Sequence, residues 1–301
     1  MTAVLGALLP LFALIALGYV ARRVGWPKPR AWRTIERLTY YVLFPALLFT
    51  SLATTSLAGG GAVAAALAVA SVATAGLALL VSKPLALPGP TLTSVLQGAI
   101  RPNTYVGVGA ALALWGSHGV ALAAVGLATV IPIVNVVAVL GLLRYARSSL
   151  RRPSLIRSLA TNPLILSCFA GLAANGLGWH GPAWLMGTLK LLGQASLPLG
   201  LLAVGAALEL SALRSRGSAI IAACGLKLAL SPLLAAALLA LFGVEGTAFA
   251  VSVMYMGVPT SASAYILAVE MGGDRDAMAT IISASTVLSA LTLPAIVLLT
   301  R

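Results

Sequence analysis

An all-α polytopic membrane protein is predicted, with ten transmembrane helices in a 5+5 inverted repeat and the fourth and ninth spans broken and crossing. Three observations carry this prediction. The 301-residue chain is 60% hydrophobic and only 8% charged, whereas water-soluble domains carry about 25% charged residues. The chain also contains itself twice: Pro10, Gly18, Gly25, Trp26, Pro29 and Pro45 recur as Pro163, Gly171, Gly178, Trp179, Pro182 and Pro198, each at an offset of 153. Residue frequencies predict roughly half a match of this kind. Finally, the basic residues gather in alternate loops, the asymmetry that orients membrane proteins.

Apolar stretches long enough to cross a bilayer cover residues 2–21, 34–53, 60–81, 92–114 and 118–143, interrupted by Gly, Pro or charge. A second series covers 159–178, 184–208, 217–242, 246–272 and 275–299. The chain therefore divides into a first repeat at 1–143, a basic cytoplasmic linker at 144–158 and a second repeat at 159–301. An odd number of spans per repeat forces the second copy to enter the membrane upside down.

Arg22, Arg23, Lys28, Arg30, Arg33 and Arg37 flank the first turn, and Lys83 follows the third span. Arg144, Arg147, Arg151, Arg152 and Arg157 join the halves, while Arg214, Arg216 and Arg275 complete that side. Only Arg301 and Lys190 fall on the other. The basic loops are thus expected in the cytoplasm and both termini outside, in a multi-pass protein of the plasma membrane, the inner membrane if the cell is bacterial. The net charge of +13 then has lipid headgroups as its partner, not nucleic acid. The stretch from Met1 to Pro10 lacks a cationic leader region, so no cleavage is expected. Cys168 and Cys224 lie within spans without metal-ligand spacing and read as packing residues. No metal and no cofactor are expected; a homodimer is left open.

Spans four and nine carry polar, proline-marked interruptions at matching places. One runs from Gln97 through Arg101, Pro102, Asn103, Thr104 and Tyr105 to Gly109; the other runs from Tyr255 through Pro259, Thr260, Ser261 and Ser263 to Tyr265. Proline removes a backbone donor and disfavours helix just before it, while Asn, Thr and Ser can cap a helix that restarts beyond. A single such segment reads equally well as a proline kink. Recurrence in equivalent spans instead points to discontinuous helices meeting at a site, whose restarted N-termini offer positive dipole ends to an anion.

Arg101 and Lys227 lie deep within spans four and eight, where charge is expensive. Their bland readings are snorkelling or, for Arg101, capping of carbonyl ends. Glu36, Glu209, Glu245, Glu270, Asp274 and Asp276 all fall near span ends, so no acid matches the two cations in depth. An anionic ligand would. The expected binding residues are therefore Arg101, Asn103, Thr104, Tyr105, Thr260, Ser261, Ser263 and Lys227, around the helix-breaking Pro102 and Pro259. His118 and His180 fall in outer loops, leaving no midplane group for a proton relay.

At these interruptions the sequence resembles the auxin efflux carrier family, whose bacterial members include proposed malonate and malate carriers. Arg101-Pro102-Asn103 followed by Gly107 is similar to that family's Arg-x-Asn pattern. The segment from Pro259 to Ala268, with Gly272-Gly273-Asp274, is similar to its ninth span, and Lys227 with Pro232 to its eighth. The resemblance implies a fold shared with bile-acid sodium symporters: a scaffold of spans 1, 2, 6 and 7 and a transport domain of spans 3 to 5 and 8 to 10. Two departures stand out. The short Arg144 to Arg157 connection replaces the long regulatory loop of plant members, and Gly109-Ala110-Ala111 stands where a further proline is expected.

The resulting expectation is a secondary carrier of a small organic anion, a mono- or dicarboxylate. A sodium-coupled symporter of the bile-acid type would call for an acid near the ninth-span break, and Glu270 is eleven residues past Pro259. An intramembrane enzyme would require a catalytic motif such as His-Glu-x-x-His or Gly-x-Ser-x-Gly, and neither occurs. A passive channel does not require paired broken helices.

Overall fold

The computed structural model describes residues 2–54, 60–146, 160–179, 181–210 and 217–300. All regular structure among them is helical. Arg147, Arg151, Arg152, Arg157, His180, Arg214, Arg216 and Arg301 lie outside the described residues.

The first helix, α1, runs Thr2–Arg23 and ends in a Schellman motif: the Trp26 N–H donates to the Ala21 carbonyl at 3.0 Å and the Gly25 N–H to Arg22 at 3.2 Å. Helix α7 (Pro163–Gly176) ends identically, with Trp179 donating to Ala174 and Gly178 to Asn175. Gly25 and Gly178 supply the positive φ this cap needs, at 77° and 63°. The duplicated Gly-Trp pair is thus a duplicated helix stop. Pro29 and Pro182 then open the next helices, Pro29 at the first turn of α2 and Pro182 as the N-cap of α8.

Helices α2 (Pro29–Leu38) and α3 (Phe44–Thr54) form one rod joined by a π turn at Thr39–Leu43. A second such rod comprises α9 (Gly217–Gly225), a π turn at Leu226–Leu230 and α10 (Ser231–Leu241). Each π turn ends just before a proline, Pro45 or Pro232. The ring of proline clashes with the carbonyl four residues back, and the widened turn makes room for it. Between these rods lie α4 (Gly60–Ser82), α5 (Gly89–Ile100) and α6 (Thr104–Tyr145). Gly116, at φ 62° and ψ −150°, divides α6 in two. After α8 (Ala183–Ala206) and the second rod come α11 (Gly246–Met256), α12 (Ser263–Glu270) and α13 (Arg275–Leu299).

Among the described residues, six helical stretches are long and apolar enough to cross a bilayer: α1, α4, α6, α8, the rod from Gly217 to Leu241, and α13. The protein is a multi-pass, all-helical membrane protein. The stretches expected at 92–114 and 246–272 are not single helices; backbone helix stops after Ile100 and after Met256. The fourth and fifth expected spans run together into α6, because only the Gly116 kink separates them.

Helices α1, α3, α7 and α8 pack mainly on one another, and α4, α5, α6 and α9 to α13 on one another. Between the two groups, α6 touches α1, α3, α7 and α8, and α13 touches α1. The duplicated glycines sit at closest approach. A Cβ on Gly18 in α1 would overlap the Leu202 backbone of α8, and one on Gly171 in α7 would overlap Phe49 and Leu52 of α3. Without hydrophobic drive between helices in lipid, such backbone approach is how they associate.

Candidate functional site

The helix interruptions after α5 and after α11 meet. The Asn103 N–H donates to the Pro259 carbonyl at 2.8 Å, and the Ser261 N–H donates to the Arg101 carbonyl at 3.0 Å. Pro102 and Thr260 lie opposite each other as an isolated antiparallel bridge. The backbone groups freed by the prolines therefore satisfy one another, which a nonpolar surrounding requires.

Asn103 is the N-cap of α6: its Oδ1 accepts from the Val106 N–H at 3.3 Å, and the residue is 2% exposed. Thr260 is 0% exposed. Its backbone N–H donates to Ser285 Oγ at 3.1 Å and its hydroxyl to the Gly98 carbonyl at 2.7 Å, so this residue ties the junction to α13 through its backbone and to α5 through its side chain. Ser261 and Ser263 form a hydroxyl pair at 3.0 Å on the accessible side of the junction. Arg101 reaches this pair through Nη2, which donates to Ser263 Oγ at 3.2 Å. Its Nη1 is buried and has no hydrogen-bond partner. Tyr40, in the π turn between α2 and α3, lies within electrostatic reach of the guanidinium.

Tyr105, the second residue of α6, packs edge-on against Phe44 of α3 with ring centroids 4.9 Å apart, and Gly200 of α8 leaves space for its ring. Thr104 is buried, with Tyr255 of α11 beside it. The Tyr255 ring fills a slot between Gly107 and Gly126 of α6.

Lys227 stands apart from this cluster. It is the second residue of its π turn, is 1% exposed, and its Nζ donates to the Met256 carbonyl at 2.9 Å. Met256 is the last residue of α11. The ammonium thus caps the negative end of the half-helix that stops at the junction, and it does not reach a surface. Among the described residues neither Arg101 nor Lys227 is paired with a carboxylate.

Sequence reasoning placed Gln97 within the interruption but not among its binding residues, and it overlooked Ser285, which holds Thr260. Ser285 belongs to an ordinary-looking span and carries no local signal. Gln97 had one: it is the amide four residues before the deep arginine.

Comparison with known proteins adds a third line. A family model described as "Membrane transport protein" matches residues 3–97 and 147–297. A protein named "Putative malonate transporter" from Rhizobium meliloti (strain 1021) is 28% identical over 314 residues, covering 100% of this chain and 97% of that protein. An "Uncharacterized transporter" of Methanothermobacter thermautotrophicus (strain Delta H) is 26% identical over 292 residues, covering 95% of each chain.

Proposed function

Because the chain belongs to the membrane transport protein family, we propose that it is a secondary carrier of a small organic anion, a mono- or dicarboxylate, working by alternating access around the junction. The observation that carries this reading is Arg101: a deep guanidinium at the meeting point of two helix interruptions, beside the Ser261–Ser263 hydroxyl pair and without a carboxylate partner among the described residues. The junction collects two helix N-termini, of α6 and α12, and two C-termini, of α5 and α11. Lys227 sits on the C-terminus of α11 and Arg101 at that of α5. Each negative dipole end thus has a cation, which leaves the N-termini to favour an anion.

In this reading the chain crosses the membrane ten times. Span four is α5 with the first part of α6, span nine is α11 with α12, and the two cross as broken helices of a 5+5 inverted repeat. The reciprocal packing of Gly18 and Gly171, and the identical caps at Gly25 and Gly178, support the repeat. Helices α1 to α3, α7 and α8 form the scaffold, and the remainder moves against it with Tyr105 at the sliding contact. Both termini lie outside the plasma membrane. The name of the Rhizobium relative makes malonate, a dicarboxylate, the first ligand to try.

Uptake of labelled malonate, malate and acetate into liposomes containing the purified protein tests the carrier reading. Uptake of at least one is expected, and Asn103→Ala should abolish it while costing only about 1 kcal/mol of stability as a lost cap. No carboxylate uptake by the wild-type protein, or full uptake by Asn103→Ala, overturns the reading.

A further inference from the structure

We propose that Gln97 and the inward nitrogen of Arg101 form an occluded carboxylate subsite that selects dicarboxylates over monocarboxylates; the inference rests on the carrier reading above. Gln97 is 0% exposed, and neither its amide oxygen nor its amide nitrogen has a hydrogen-bond partner. It is the idle polar group of its helix. Thr91 donates to Asp274 Oδ2, Ser94 to the Asp274 carbonyl and Thr93 to the Pro90 carbonyl. A buried amide left unpaired costs stability, so a retained one calls for an occupant.

Arg101 is orphaned in the same way on one side only. Its Nη2 serves the Ser261–Ser263 rim, while its Nη1 is buried and unpartnered. The Arg101 N–H donates to the Gln97 carbonyl at 3.0 Å, which places Arg101, the C-cap of α5, one turn beyond Gln97. The idle groups are mostly donors: the amide nitrogen and Nη1 against one amide oxygen. A carboxylate, which only accepts, fits this set; a cation does not. One carboxylate of a dicarboxylate would lie at the serine rim on Nη2 and the other inward on Nη1 and Gln97.

Binding of malonate and acetate to the purified full-length protein by titration calorimetry, with melting temperatures on the same samples, tests the subsite. For Gln97→Leu, malonate should weaken at least about tenfold while acetate changes less than about twofold. Its melting temperature should hold or rise, since an apolar side chain of similar size replaces an unpaired amide. Gln97→Glu places a carboxylate beside Nη1 from within the chain and should abolish malonate binding. Unchanged malonate affinity in both variants overturns the subsite, as does equal weakening of both anions or a lowered melting temperature with unchanged selectivity. Failure of the wild-type protein to bind either anion instead overturns the carrier reading and the subsite together.

Discussion

Lys227 is almost completely removed from solvent, yet its Nζ donates to a backbone carbonyl and not to a carboxylate. Hydrogen bonds to charged groups contribute about 1.5–3 kcal/mol, against a desolvation cost that falls on the same group. That cost amounts to several kcal/mol for a buried ion, no smaller than the gain, so stability alone does not account for the residue. A charge held at the end of α11 does affect the potential at the junction. Lys227→Met should therefore abolish malonate uptake with only a small change in melting temperature, and Lys227→Arg should restore little, since a planar fork does not fit a site built for a point charge. Uptake by Lys227→Met at the wild-type rate would assign the residue to helix capping alone. Thr260 shows the opposite case: a hydroxyl that looks free for a ligand in the sequence is consumed by the Gly98 carbonyl.

Among the elements, α5 and α13 are held together at one end by a single acid. Asp274 caps α13, its Oδ1 accepting from the Ala277 N–H at 3.1 Å, and its Oδ2 accepts from Thr91 at 2.7 Å. The Asp274 backbone adds the bond from Ser94. Asp274→Ala should cost about 1–3 kcal/mol, the sum of a lost cap and a lost charge-assisted bond, while Asp274→Asn should recover part of it because an amide oxygen also caps. Thermal melts in detergent check both. That acid was placed near a span end by the sequence reading, but its helix-to-helix role was hidden: Thr91 is 183 positions away in the chain. The π turns before Pro45 and Pro232 were hidden too. Proline announces a disturbed helix, and whether the helix breaks, kinks or widens depends on what packs against it.

For the whole molecule, the repeat makes a prediction about symmetry. Gly18 and Gly171 occupy equivalent sites, one between α1 and α8, the other between α7 and α3. Gly18→Ala and Gly171→Ala should each destabilise by at least about 1–3 kcal/mol through forced separation of packed helices, Gly18→Ala the more, because its Cβ would run deeper into facing backbone. Melting temperatures of the two variants provide the comparison; a large effect at one and none at the other would remove functional equivalence between the copies. Composition, the repeated Gly, Trp and Pro positions and the paired polar prolines were enough to indicate a helical membrane protein and the two breaks, after Ile100 and after Met256, because these depend on local backbone chemistry and on the solvent a chain must satisfy; the likeness to a carrier family rested on the motifs at those breaks. Only the tertiary structure decided which polar groups are already used and which stand idle. Thr260 spends its hydroxyl proton and Asn103 its amide oxygen on the junction, whereas Gln97 and one nitrogen of Arg101 have no partner. Hydrogen-bond satisfaction depends on partners distant in the chain, as Thr260 and Gly98 are 162 positions apart, and no local pattern of residues encodes it.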